Sequence, residues 1–489
     1  MSTFHRLLEP YQPTDKDPFD AVKAAHLLNR AGFGGTHDEV EKVRRMGPAG
    51  AVDWLLDFPD QGAEEQAGGD LPNFLAIDGF PKNFRDLREM VRGKSESERQ
   101  RFRQMLMRGN REAMAETARW WLNRMAFGPH PLQEKLTLFW HGHFTTSFRE
   151  ERSAALLWRQ NELLRRTAAG NFEKFVKGIS RDPAMLQYLN NNQNRRGRPN
   201  ENYARELMEL FTLGIGNYTE QDVKEAARAF TGWSSEGEEF VFRRPAHDDG
   251  RKTFLGRTGN LDGDDVIDLI LRHKACAPFI AGKLFRFFAY DEAETGGPLE
   301  QGVVESLGQV LRDAKWELRP LVKTILRSKA FFSDKAIGSQ IKSPVQLVLG
   351  TVRQLGVGLP PMQVLRNSLQ QMGQMPFNPP NVKGWPGGRA WINTATLFVR
   401  YNTCVALAGG NFEGGRRFEP IRLKAKFKPD GADTAAQVVD HWLARLIQRP
   451  VDEEKRQTLI EALGELARNE EAVKRVVQLI VSMPEYQLC

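Results

Sequence analysis

Apolar residues recur along this chain at spacings of three and four far more often than at alternate positions, a pattern that predicts helices. The stretch "DAVKAAHLLNRAG" reads as a helix closed by Gly32. "THDEVEKVRRMG" reads as a second, capped by Thr36 and stopped at Gly47, and "GAVDWLLDF" as a third. Residues 60–84, polar and broken by glycine and proline, predict a surface loop. Residues 85–127 return to helical spacing, and Gly128 and Pro131 separate that helix from "LQEKLTLFWH". "EEFVFRR" is the best strand candidate, one arm of a small hairpin. After residue 261 the helical pattern resumes in "DDVIDLILRH", "APFIAGKLFRFFAY", "LRPLVKTILRS" and "SPVQLVLGTVRQLG". No repeat of fixed period is present, which argues against a regular solenoid. The expected fold is mainly α, a large irregular multi-helix body with a small β-hairpin near residues 238–256. It divides into a helical main domain over 1–407, a glycine- and charge-rich loop over 408–433, and a C-terminal helical segment over 434–489 packed on the main domain.

Composition narrows the class. A chain of 489 residues can bury a large core, and 40% hydrophobic with 27% charged residues is ordinary for a soluble globular protein. No stretch approaches the ~20 consecutive apolar residues of a membrane-crossing helix. The net charge of +7, from 69 basic and 62 acidic residues, is spread in short runs that acidic residues interrupt, so no nucleic-acid partner is expected. Cys276, Cys404 and Cys489 lie far apart, which argues against a disulfide framework or a thiolate zinc site. The first twenty residues lack an apolar export segment and a twin-arginine pattern, so the expected compartment is the cytoplasm.

Candidate chemistry sits in four places. In "FWHGHFTTS", His141 and His143 would point about 200° apart on a continuous helix. A helix ending at His141 with Gly142 in the left-handed conformation would instead let them converge on a metal or substrate. The alternative is a helix-end histidine beside one packed in a turn. In "NENYARELMELFTLGIGNYT", one face of an amphipathic helix ending at Gly214 carries Glu201, Asn202, Arg205, Glu206 and Glu209. Solvated pairs of Glu201 with Arg205 and of Arg205 with Glu209 explain that face. So do metal ligands or a general base beside a cleft. "RRPAHDDGRKTFLG" places His247, Asp248 and Asp249 at a glycine turn, read first as turn chemistry and otherwise as an acid/base loop. "MPFNPPNVKGWPGGRAWIN" packs four prolines, three glycines, Trp385 and Trp391 into 19 residues. The two indoles, with Lys383 beside them, either hold a flat ligand such as a sugar or plug a core. Walker-type, GxSxG, HExxH and GxGxxG motifs are missing.

Taken together these stretches resemble a bacterial family of unknown function, domain of unknown function 1800. The resemblance rests on "HLLNRAGFGGT", "LQEKLTLFWHGHFTTS", "RDPAMLQYL", "NENYARELMELFTLGIGNYTEQDVKEAARAFTGW", "HDDGRKTFLG", "PFNPPNVKGWPGG" and "SMPEYQ", and covers essentially the whole chain. It implies a largely helical fold. It also implies a gene neighbourhood shared with a sulfatase- and alkaline-phosphatase-like family, which suggests such a protein as a partner. Many relatives look exported, whereas this chain shows no signal. His141, His143, Glu201, Arg205, Glu206, Glu209, His247 and Asp248 all fall inside the matching stretches, as a functional set or a buried polar network would. Two expectations result. In one, a hydrolase of a polar substrate such as a saccharide holds a divalent zinc, manganese or iron ion on His141, His143, His247, Glu201 and Glu209. Glu206, Arg205 and Asp248 then supply the catalytic groups, and Trp385, Trp391 and Lys383 bind substrate. In the other, the chain is a non-enzymatic helical scaffold or partner of the sulfatase-like protein.

Overall fold

The computed structural model describes residues 4–59, 75, 89–291, 301–409, 411–412, 421–422, 431–467 and 469–489. Most of these are helical, and the few strands form short antiparallel pairs. The loop expected at 60–84 falls outside the described residues except for Leu75, and so does most of 408–433.

Helices begin where the sequence offers caps. Thr36 accepts the Glu39 N–H and the Glu39 carboxylate accepts the Thr36 N–H, the reciprocal pair that satisfies two orphan donors. Ser95 and Glu98 repeat the device at the start of Glu96–Phe127, which runs for 32 residues. Gly47 ends the first helix, as expected. With φ 70° it breaks His37–Leu56 into two pieces, and Pro48 starts the second, a position where its missing N–H costs nothing.

The small hairpin expected near 238–256 is resolved as two neighbouring ones. Trp233–Glu236 pairs with Glu239–Phe242, and Lys252–Phe254 with Arg257–Gly259.

Two hydrophobic clusters hold the helices. The first gathers residues from Leu8 to Phe58 and from Leu132 to Ala336. The second joins Trp121 and Met125 of the long helix to Val345–Val357 and to C-terminal residues such as Trp442, Ile480 and Tyr486. Helix Pro131–His143 serves both, giving Leu132, Leu136 and Trp140 to the first and Leu138 to the second. Among the described residues no helix is long and apolar enough to cross a membrane.

Candidate functional site

Helix Pro131–His143 is buried on nearly all sides, so each of its polar side chains needs an internal partner. Glu134 accepts from Arg165 Nε at 2.7 Å, from Arg124 Nε and from Trp121 Nε1 at 2.9 Å, and the two guanidinium groups keep its carboxylate below the usual range despite burial. The helix does not stop at Gly142. It runs through to His143 with Phe144 as its C-cap, and Gly142 is helical, with the Trp385 ring 3.5 Å from where a Cβ would stand. The expected convergence of the two imidazoles is therefore not found, because one helical geometry sends them to opposite sides.

His141 Nε2 accepts the Phe377 N–H at 3.0 Å, and its ring packs against Trp121, Phe377 and Trp385. Burial pushes its pKa down to about 3, so it is a neutral acceptor. His143 Nε2–H donates to the Phe211 carbonyl at 3.0 Å, leaving Nδ1 to accept from Lys283 Nζ at 3.2 Å. Burial, then the Lys283 charge, holds it well below the ordinary range. His247 lies elsewhere, its Nδ1–H donating to the Thr231 carbonyl at 2.8 Å. Each imidazole serves a different segment of backbone, and among the described residues no three His, Cys, Asp or Glu side chains gather as a metal ion requires. The ligand set His141, His143, His247, Glu201 and Glu209 is not assembled.

The acidic flank is divided too. Asn202–Glu206 is α-helical and Leu207–Thr212 continues as a π-helix. Glu201 pairs with Arg205 at 3.1 Å as expected, but Arg205 turns to Glu220, which offers both oxygens at 2.8 Å, and not to Glu209. Glu209 accepts from Tyr218 Oη at 3.1 Å instead. Glu201 lines a polar surface groove with Asn192, Asn194, Arg198 and Arg243. Glu206 stands apart from that groove. Burial first and the Glu209 charge second push its carboxyl up, while Lys383 opposes them. Asp248 closes the turn that the sequence suggested, accepting from Gly250 N–H at 2.8 Å and from Arg228 Nε at 2.8 Å, and Arg228 holds it ionised.

The structure does bring other residues together. A cavity of about 410 Å³ opens beside His143, between helix Pro131–His143, helix Cys276–Phe288 and the proline-rich loop before Trp391. Trp385, Trp391, Phe139 and Phe287 supply aromatic wall, Gln346, Gln374 and Ser343 supply neutral polar groups, and Lys383 stands on the rim. Gly387 and Gly388, with φ 72° and 53°, let the loop fold back over the opening. The loop seats on the helix because Gly384 has no side chain, since a Cβ there would lie 2.1 Å from the Gly142 carbonyl oxygen. Two of the three substrate-binding candidates, Trp385 and Trp391, thus form a wall, and the third, Lys383, forms its edge.

Lys135 and Lys283, which line the same cavity, are the residues that sequence reasoning missed. Lys135 Nζ donates to Gln346 Oε1 at 3.0 Å and lies 5.2 Å and 5.6 Å from the Phe33 and Phe287 ring centroids. Lys283 Nζ donates to the Leu210 carbonyl at 3.0 Å, a group freed by the π-helical turn, as well as to His143. Burial lowers both, Lys135 to about 7 and Lys283 to about 8. A signal existed in the sequence. "PLQEKLTLFWHGH" carries no continuous polar stripe, so its polar residues must be buried, and Lys283 stands alone among apolar neighbours in "APFIAGKLF".

Neither a curated protein nor a solved structure matches this chain. A family model described as protein of unknown function (DUF1800) matches residues 26–488, nearly the whole length, so that every element lining the cavity falls within it. The chain belongs to the DUF1800 family.

Proposed function

We propose that the cavity beside His143 is the functional site, that it binds a polar, ring-bearing molecule of saccharide size, and that the chain is a hydrolase working by acid/base chemistry at its rim. The carrying observation is the composition of the wall. Indole and phenyl faces alternate with amide and hydroxyl groups around about 410 Å³, within the roughly 300–1,000 Å³ of small-molecule sites. Flat aromatic faces pack the apolar side of a sugar ring, and amides meet its hydroxyls. Glu206 is the acid/base group of this proposal. Burial and the Glu209 charge push its carboxyl up against the opposing charge of Lys383, so it can hold a proton nearer neutrality than an exposed glutamate. It is not itself a lining residue, and its link to the cavity is that it feels Lys383, which is.

The test is calorimetric titration of the full chain with a panel of neutral and acidic mono- and disaccharides, with turnover followed by reducing-end release. Trp385→Leu should weaken binding about tenfold, the loss of one aromatic face. Glu206→Gln should keep binding and abolish release. Absence of binding across the panel, or equal binding by Trp385→Leu, refutes the proposal.

A further inference from the structure

We propose that the ligand of this cavity carries an anionic group, a carboxylate or a sulfate or phosphate ester, and that Lys135 and Lys283 hold it; this rests on the reading of the cavity as a ligand site. The two lysines come from different helices and line one opening. Lys135 is only 5% exposed, and one neutral amide oxygen accepts from its ammonium group. Lys283 is partly buried, with a carbonyl and an imidazole nitrogen as acceptors. Neither makes an ion pair with Asp or Glu among the described residues. The residue before Lys135 shows the contrast, since Glu134 is clamped by two guanidinium groups.

An ammonium ion withdrawn from water without a counter-charge is costly, and an anion arriving in the same space removes that cost. Both lysines are linked to the Phe139–Phe287 ring pair, whose centroids are 5.0 Å apart. Lys135 is linked directly, 5.6 Å from the Phe287 centroid. Lys283 is linked through His143, which stacks on Phe139 at 6.0 Å. A ring packed on these phenyl groups would carry its acidic substituent within reach of an ammonium group. Arg30 and Arg286, each with partners of its own, also stand in the wall, and among the described residues the lining carboxylate is Asp291.

The experiment titrates the full chain with D-glucuronate, D-glucose 6-sulfate, D-glucose 6-phosphate, D-glucose and inorganic sulfate. The acidic sugars should bind about ten- to a hundredfold tighter than glucose, as a charge-assisted hydrogen bond allows. Lys135→Met and Lys283→Met should each remove most of that preference, so that the ratio of acidic-sugar to glucose affinity falls toward one. Equal affinity for acidic and neutral sugars overturns the anion site while the saccharide reading stands. Inorganic sulfate bound and lost in both variants, with no sugar bound, keeps the anion site and overturns the saccharide reading. No binding of any probe overturns both. A measurement on the unaltered chain guards against variants that fail to fold: at pH 8, anion binding should take up protons, seen as heats that change with buffer ionisation enthalpy. The groups acting on these ammonium ions are Arg30 and Cys489 at Lys135, and Arg286 and His143 at Lys283. Uptake of no protons overturns the proposal.

Discussion

His141 is held by a contact 236 residues away in sequence, the Phe377 N–H, and that one bond ties the proline-rich loop to the central helix. Replacing it by Ala leaves a buried donor without an acceptor and a void among Trp121, Phe377 and Trp385. His141→Ala should therefore lose roughly 3 kcal/mol in urea unfolding, the sum of an orphaned amide and a core truncation. Its pH dependence has a definite sign. The folded chain keeps this imidazole neutral down to about pH 3, whereas the unfolded chain protonates it near 6.5, so the unfolded state binds the extra proton between those values. The stability His141 contributes is present above pH 6.5 and lost as pH falls toward 3; His141→Gln should flatten that part of the profile. The sequence marked His141, His143 and His247 as residues with a task. It could not say which backbone group each would meet, since Phe377, Phe211 and Thr231 are chosen by tertiary packing.

The helix end and the loop that seats on it make a pair of glycine substitutions informative in opposite directions. Gly142 is helical, and an added Cβ would touch the Trp385 ring at 3.5 Å, ordinary van der Waals contact. Gly142→Ala should raise the melting temperature slightly, because alanine is favoured over glycine within a helix by up to about 1 kcal/mol. Had the chain turned left-handed there, as the glycine between two histidines suggested, the same change would lower it. Gly384→Ala should be severe, since φ 80° disfavours a side chain and the Gly142 carbonyl lies 2.1 Å from the new atom. It should also weaken ligand binding by lifting Trp385 off the helix. Helix positions were readable from apolar spacing and caps, as Thr36 with Glu39 illustrates. The π-helical Leu207–Thr212 was not, because its residues suit an α-helix equally well. The carbonyls of Leu210 and Phe211 find their partners on Lys283 and His143, which belong to other elements.

At the scale of the whole molecule, the cavity lies where the two hydrophobic clusters meet, with the central helix contributing to both. Apolar periodicity fixes which face of each helix is buried but not which cluster receives it, so neither this division nor the boundary cavity could be read along the chain. Lysines withdrawn from water, two of them in the cavity wall, give a signature in the stability profile. Lys135, with its pKa near 7, and Lys283 and Lys342, near 8, all sit below the ordinary lysine value, so between about pH 7 and 10 the unfolded chain binds protons that the folded chain does not. Stability from these groups therefore rises with pH across that window. Other buried groups act oppositely. Glu151 and Asp182, pushed up to about 8 and 7, cost stability as pH rises toward those values, and the thiols of Cys276 and Cys404, also pushed up, do so above about 8.5. The diagnostic quantity is thus the difference between the unaltered chain and Lys135→Met, which cancels the shared contributions. Removing a buried charge should make the variant more stable at pH 7, with the gap closing as pH approaches 10. Where Lys135 is neutral only in the folded chain, the slope should differ by up to roughly 1.4 kcal/mol per pH unit, the value for one proton. Saturation with an acidic sugar should suppress the rise in the unaltered chain, because the bound anion keeps the ammonium group charged in the folded state. A gap that does not close, or a ligand that leaves the slope unchanged, would place the Lys135 charge in water and remove the reason for an anion to seek it.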